Sequence, residues 1–222
     1  MEQDRIHAAR ITTFLTISAA FLMGFIDAYT FTELKHVFVS AQTGNMVTFG
    51  VKLVTGAPVE GFPNMMSLLG FMGGAFSGEV LLARYQERGL RKYRIFLYVQ
   101  AVLLLLLALT QPYLSLSVTV FVLGWLSGYA LTTFRKIGNT SVNNGIMTGN
   151  ARNMMGSLYK LLFEKDEQAK TELLHLGTGI VTFVAGVGAG AFVTSIEPSA
   201  VLWSAFVVVL LSISVLFIYR WH

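Results

Sequence analysis

Apolar residues run with few interruptions through Ile11 to about Thr32, Met65 to Ala83, Ile95 to Thr110, Val118 to Phe134, Leu173 to Val193 and Val201 to Tyr219. An α-helix needs roughly 20 such residues to cross about 30 Å of hydrocarbon, with some latitude for tilt and flanking anchors. The pattern therefore predicts six membrane-spanning helices. A seventh apolar stretch, Phe38 to Val54, is about the minimum length for a crossing and carries Gln42, Thr43, Gly44, Asn45, Thr48 and Lys52. A re-entrant hairpin, which dips into the membrane and leaves on the side it entered, suits so polar a stretch better than a span.

The pattern also repeats. Thr43-Gly44-Asn45 returns as Thr148-Gly149-Asn150, and in each half the triplet follows a long apolar helix with an internal glycine, Gly24 or Gly128. The offset from Gly24 to Gly128 is 104 positions and from Asn45 to Asn150 is 105, so the match holds its register. The chain reads as one transmembrane domain over residues 1–222, with a first repeat over about 11–112 and a second over about 117–220.

Composition agrees: hydrophobic residues make up 54% and charged residues 13%, with a mean hydropathy of +0.63. A soluble core of this size could not hide so much apolar surface, and the lipid bilayer is the expected partner. There is no cysteine, which removes disulfides, thiolate metal sites and cysteine nucleophiles. The net charge of +4 does not point to nucleic acid, because the basic residues fall between the apolar runs as topology signals.

Those signals orient the chain. The loop from Arg84 to Arg94 carries Arg84, Arg88, Arg91, Lys92 and Arg94 against Glu87 alone, which places it in the cytoplasm. Six spans then put both termini inside, Arg220 included, and leave only Lys35 and Lys52 of the 16 Lys and Arg residues outside. An odd number of spans per repeat inverts the second repeat relative to the first, so the two Thr-Gly-Asn hairpins enter from opposite faces. A seven-span arrangement, with Phe38 to Val54 crossing and the N-terminus external, is the alternative.

Candidate chemistry gathers at the triplets. Asn45 and Asn150 stand where short helices begin, and their plainest role is an N-cap, which an Asp could fill equally well. If the hairpins meet near the midplane, Thr43, Gly44, Asn45, Thr148, Gly149 and Asn150 form a solute site or a pore constriction, with two positive helix ends facing one place. Asp27 lies well inside the first span, either beside that site or tying the hairpin to the span. Glu79 reads as a surface carboxylate paired with the basic loop at Arg84. Asn139, Asn143, Asn144 and Asn153 make the second hairpin amide-rich, lining a vestibule or solvating a loop. Gly70, Gly74 and Gly78 form a packing row that serves helix contacts or a homo-oligomer, whereas Leu104 is expected to face lipid. Ser77 with His175 is the nearest approach to a catalytic pair and lacks the glycine expected before the serine, so the chain does not read as an enzyme. His7, His36, His175 and His222 are scattered, and neither a metal nor a cofactor is expected.

The pattern Gly24-Phe-Ile-Asp-Ala28, then Val37-Phe-Val-Ser-Ala-Gln-Thr-Gly-Asn45, then a second Thr-Gly-Asn after Arg135-Lys136-Ile-Gly138, resembles the YoaK-like family of bacterial inner-membrane proteins. That resemblance covers nearly the whole chain and implies an integral inner-membrane protein of about six helices with a domain of unknown function. Gly128-Tyr-Ala-Leu-Thr132 departs from it, standing where a Gln-Asn pair would follow the glycine. Together these readings predict an all-α polytopic protein that transports or conducts a small polar solute or ion. The alternative is a membrane scaffold or sensor subunit in which the hairpins only lock the fold.

Overall fold

A computed structural model describes residues 2–85 and 91–218, with the side chains of 8–85 and 92–218. Glu87, Arg88 and Arg220, on which the charge-based orientation partly rests, lie outside the described residues, as does the side chain of Arg91. The elements are α1 (Glu2–Glu33), α2 (Gln42–Val54), α3 (Pro58–Arg84), α4 (Arg91–Thr110), α5 (Leu116–Thr133), a minimal hairpin of β1 (Lys136–Ile137) and β2 (Thr140–Ser141), α6 (Met147–Tyr159), α7 (Glu167–Ile196) and α8 (Ala200–Ile218).

Among the described residues, α1, α3, α4, α5, α7 and α8 are long and apolar enough to cross a membrane. The chain is an all-α integral membrane protein in contact with the bilayer. α2 and α6 have 13 residues each, about 20 Å of helix at 1.5 Å per residue, and fall well short of the hydrocarbon thickness. The β-hairpin has no counterpart in the apolar pattern. It reverses at Gly138, whose φ of +56° is open to glycine and unfavourable to other residues.

Side-chain bonds fix which helix ends lie together. At one end the Gln111 amide donates to the Ser199 carbonyl, joining the α4–α5 and α7–α8 turns, and Glu33 at the end of α1 shares a cleft with Gln111 and Leu116. At the opposite end Arg135, just after α5, pairs with Glu79 near the end of α3, and the Gly138 N–H donates to Thr13 near the start of α1. Among the described residues Glu79 thus answers Arg135, and part of the basic loop after Arg84 lies outside them. By these bonds α3 begins at the end of the bundle where α1 finishes.

α1 and α5 form the inner pair: 67% and 61% of their apolar windows are buried, against 22% for α3 and for α7. α3 packs along α5, α1 along α7, α4 along α8, and the short helices α2 and α6 lie on α3 and α7. The two largest contacts are made at glycines. A Cβ on Gly74 would stand 1.9 Å from the Trp125 carbonyl oxygen, and one on Gly70 would stand 2.0 Å from that of Phe121. Across α1 and α7, a Cβ on Gly24 would meet the Phe183 carbonyl at 2.2 Å and one on Gly186 the Phe21 carbonyl at 2.1 Å. Backbone therefore lies on backbone at both seams, which only the absence of a side chain permits. The Gly70, Gly74 and Gly78 row is thus occupied within one chain. Leu104 does not face lipid: it is fully buried in the core cluster that includes Leu97, Leu202 and Val209, because α8 covers that side of α4.

Gly74→Ala and Gly186→Ala are expected to force the seams apart and to lower thermal stability sharply. Gly188→Ala, where an added Cβ meets nothing within 4 Å, should be neutral or stabilising by up to about 1 kcal/mol. Leu104→Ala should cost about 2–5 kcal/mol as a core truncation. Thermal unfolding of the purified variants in detergent orders them. Equal melting of Gly74→Ala and Gly188→Ala would mean that the glycines do not set the seam.

Candidate functional site

After α1 the chain turns sharply at Lys35 and His36, both in the left-handed region, with φ of 55° and 59°. Residues 37–41 then run back along α1 without regular secondary structure. The Val39 and Ser40 N–H groups donate to Asp27 Oδ1 at 2.7 and 3.1 Å, and the Ser40 hydroxyl donates to Asp27 Oδ2. Asp27 lies six residues before the end of α1, so the chain has returned roughly 9 Å along the helix. Three donors surround one carboxylate, which is 4% exposed. Of the two roles open to Asp27 from the sequence, the tie between hairpin and span is formed, and the same residue reaches the cavity described below.

Asn45 does not cap α2. The N-cap position is Ala41, without a side-chain cap, and Asn45 is the fourth residue of the helix. Its amide instead spans the hairpin: the Phe38 N–H donates to Asn45 Oδ1 at 3.1 Å while Asn45 Nδ2 donates to the Phe38 carbonyl. Asn150 repeats the arrangement in α6, receiving the Asn143 N–H at 2.9 Å and donating to the Asn143 carbonyl at 2.7 Å, again seven residues back. The amide thus stands in for a neighbouring strand, with one donor and one acceptor offered to the backbone of a single residue. An Asp cannot do this, because an ionised carboxylate has no hydrogen to give. The glycine in each triplet leaves room for the partner segment: a Cβ on Gly44 would press the Phe38 ring at 3.1 Å, and one on Gly149 the Asn143 amide at 3.2 Å.

The supports behind the two amides differ. In the first half Asn45 Nδ2 also donates to Gln42 Oε1, Asn64 Nδ2 donates to Asn45 Oδ1, and the Ser67 hydroxyl donates to the Phe38 carbonyl at 2.8 Å. In the second half the corresponding places are held by Met147, Leu176 and Gly179, and among the described residues the Asn150 amide has one further hydrogen-bond contact, with Met147 sulfur at 3.4 Å.

The two hairpins touch at Ser40 and Gly145, where the Ser40 hydroxyl lies 3.3 Å from the Gly145 carbonyl and a Cβ on Gly145 would strike Ser40 Cβ at 2.4 Å. Beside this contact is a cavity of about 730 Å³, within the usual range for small-molecule sites. Asp27, Thr43, Gly44 and Thr148 line it. Asn45 and Asn150, 1% and 0% exposed, lie behind the wall, and Gly149 is not part of it. The starts of α2 and α6 both reach the cavity, and neither carries a side-chain cap. Its remaining wall is chiefly apolar, with Phe31, Phe38, Phe71 and Phe183 prominent. Ser40, Gly145, Phe71 and Phe183 were not singled out by sequence reasoning. The signal for the last two was present, since each phenylalanine lies three residues before a seam glycine, Gly74 or Gly186.

Ser77 and His175 are not brought together: Ser77 donates to the Gly73 carbonyl and His175 Nδ1 bonds the Thr140 hydroxyl. Of the amide-rich residues, Asn139 and Asn153 line a separate polar groove with Arg152, Lys160 and Glu172, whereas Asn144 is buried and donates to the Phe134 carbonyl.

Residues 15–215 match the family described as "Protein of unknown function (DUF1275)", and the chain belongs to that family. It is similar to the UPF0700 transmembrane protein YoaK of Bacillus subtilis (strain 168), 22% identical over 158 residues that cover 68% of each chain. No solved structure matches it.

The amide bridges predict that Asn45→Asp and Asn150→Asp both lower stability, by about 1–3 kcal/mol for the buried acceptor each leaves without its donor: the Asn143 carbonyl at Asn150, and Gln42 Oε1 at Asn45, where Ser67 still serves the Phe38 carbonyl. Thermal unfolding in detergent tests this: melting like the parent's in both variants is the result expected of a helix cap and would rule out the bridge.

Proposed function

We propose that the chain is a small-solute transporter or channel of the bacterial inner membrane, in which two inverted repeats present a re-entrant hairpin from each face to one solute site. The observation that carries this reading is the cavity of about 730 Å³ at which the starts of α2 and α6 converge. Both helices begin there from irregular backbone, an arrangement suited to a membrane cavity, since such backbone at that depth must be buried or face water.

The inverted repeat is supported by contacts that survive exchange of the halves. Gly74 and Gly186, 112 positions apart, abut the carbonyls of Trp125 and Phe21, which are 104 apart. Gly128 and Gly24, also 104 apart, abut those of Phe71 and Phe183, which are 112 apart. One pair of offsets accounts for both seams, as an approximate two-fold axis through the Ser40–Gly145 contact requires. The hairpins are re-entrant on this reading because α1 finishes and α3 begins at the same end of the bundle. With the basic loops facing the cytoplasm, both termini are cytoplasmic. Solute would pass as the halves rock about the axis and open the cavity to one side and then to the other.

The scaffold reading keeps one specific support: both Asn amides are spent on holding the hairpins and neither faces the cavity. Access separates the two. The chain has no cysteine, so a single introduced thiol is unique. In right-side-out and inside-out vesicles, Thr148→Cys is expected to react with a small membrane-impermeant thiol reagent from both faces. Ser115→Cys and Ser199→Cys should react from outside only and Lys165→Cys from inside only. Protection of Thr148→Cys in both vesicle types would leave a closed centre and the scaffold.

A further inference from the structure

We infer that the solute of this cavity is a ring-sized, largely apolar organic molecule with a single hydrogen-bonding group, and not an inorganic ion, a sugar or a zwitterionic amino acid. The inference rests on reading the cavity as a solute site and adds the chemical class.

The wall sets the body of the solute. Phe31, Phe38, Phe71 and Phe183 contribute four aromatic rings, with Met46 and Val187 between them. Phe71 and Phe183 come from the two outer helices at positions related by the 112-residue offset, so the cavity has an aromatic side chain from each half. Rings and thioethers pack well against another ring and offer nothing to a hydroxyl.

The polar supply sets the number of hydrogen-bonding groups. Asp27 already accepts three hydrogen bonds from the first hairpin, Ser40 donates to Asp27, and Gln42 donates to Val39 and Ser67 while accepting from Asn45. Two side-chain groups in the lining are left over. The hydroxyls of Thr43 and Thr148 form no hydrogen bond among the described residues, and they enter from the two hairpins at equivalent positions. Two hydroxyls can satisfy one carboxylate, alcohol or amide. A hexose would leave most of its hydroxyls without partners. An amino acid needs a partner of each sign, whereas among the described residues the lining holds no Lys, Arg or His and its carboxylate, Asp27, is engaged. A small inorganic ion would meet phenylalanine over most of the wall, with only the uncapped starts of α2 and α6 to address an anion.

The test uses the purified full chain in detergent, with thermal shift and intrinsic fluorescence as readouts. Benzoate and benzyl alcohol serve as ring compounds with one polar group, and sulfate, glucose and glycine as contrasts. Saturable stabilisation by at least one ring compound and none by the contrasts is expected. Thr148→Val, which removes the hydroxyl at nearly constant shape, and Phe183→Ala should each weaken the apparent affinity at least ten-fold. The class is overturned by stabilisation with sulfate, glucose or glycine, or by no saturable response to either ring compound. It is also overturned by a ring-compound response that both variants leave unchanged, which marks partition into the micelle or an apolar surface. If the class falls while Thr148→Cys reacts from both faces, the transporter reading stands with a different solute. If Thr148→Cys reacts from neither face, the solute-site reading falls with it.

Discussion

Peptide groups that leave a helix inside a membrane must find partners within the protein, because hydrocarbon offers none and each one stranded costs several kcal/mol. On the re-entrant reading proposed above, residues 37–41 and 142–146 are two such segments, and much of the centre of the molecule answers their needs. Asn45 and Asn150 each give one donor and one acceptor to a residue of these segments, Asp27 takes two further N–H groups, and Asn144 serves the Phe134 carbonyl at the end of α5. Once these bonds are made the helices α2 and α6 have fixed starting points. The cavity is what lies between those starts.

The two halves meet the same demand by different means. The first uses a connected set of side chains, Asp27, Ser40, Gln42, Asn45, Asn64 and Ser67, each bonded to another member or to the backbone it supports. At the matching places the second half has Leu131, Gly145, Met147, Asn150, Leu176 and Gly179. Only the amide is kept. The substitutions are also mutually consistent in space: Gly145 leaves room for Ser40, with Leu131 3.2 Å from where its Cβ would be, so the polar member at the contact between the hairpins comes from one half alone. A fully connected polar set fixes one geometry, whereas packing against Leu and Met tolerates small displacements.

Most of the fold could be read from the sequence because its causes are local. Continuous apolar runs of sufficient length have no soluble alternative, and a glycine row at four-residue spacing has few uses other than close packing. The recurring Thr-Gly-Asn triplet was visible too. The role of Asn45 and Asn150 was misjudged for a physical reason: an N-cap is the shortest-range bond an Asn near a helix start can make, and a reach of seven residues depends on an irregular segment that no local pattern announces. Leu104 was misplaced for a similar reason, since an unbroken leucine run has no polar face from which to tell lipid from α8. Glu79 found Arg135, 56 residues away, instead of a neighbour five residues away, because the end of α5 lies over it.

The exchange of partners between the halves bears on how the chain is made. α1 lies on α7 and α3 lies on α5, while the contacts of either helix within its own half are slight apart from the lid that α2 forms on α3. When the first half has left the ribosome and entered the bilayer, the glycine faces of α1 and α3 have lipid where their partners will be. Gly24 waits for Phe183, more than 150 residues downstream. The α3–α5 seam can close once α5 is inserted and the α1–α7 seam only once α7 is, so an isolated half has no seam of its own to close. Two half-chains produced separately would have to find each other in the membrane, and the interface they form would be the core of the protein.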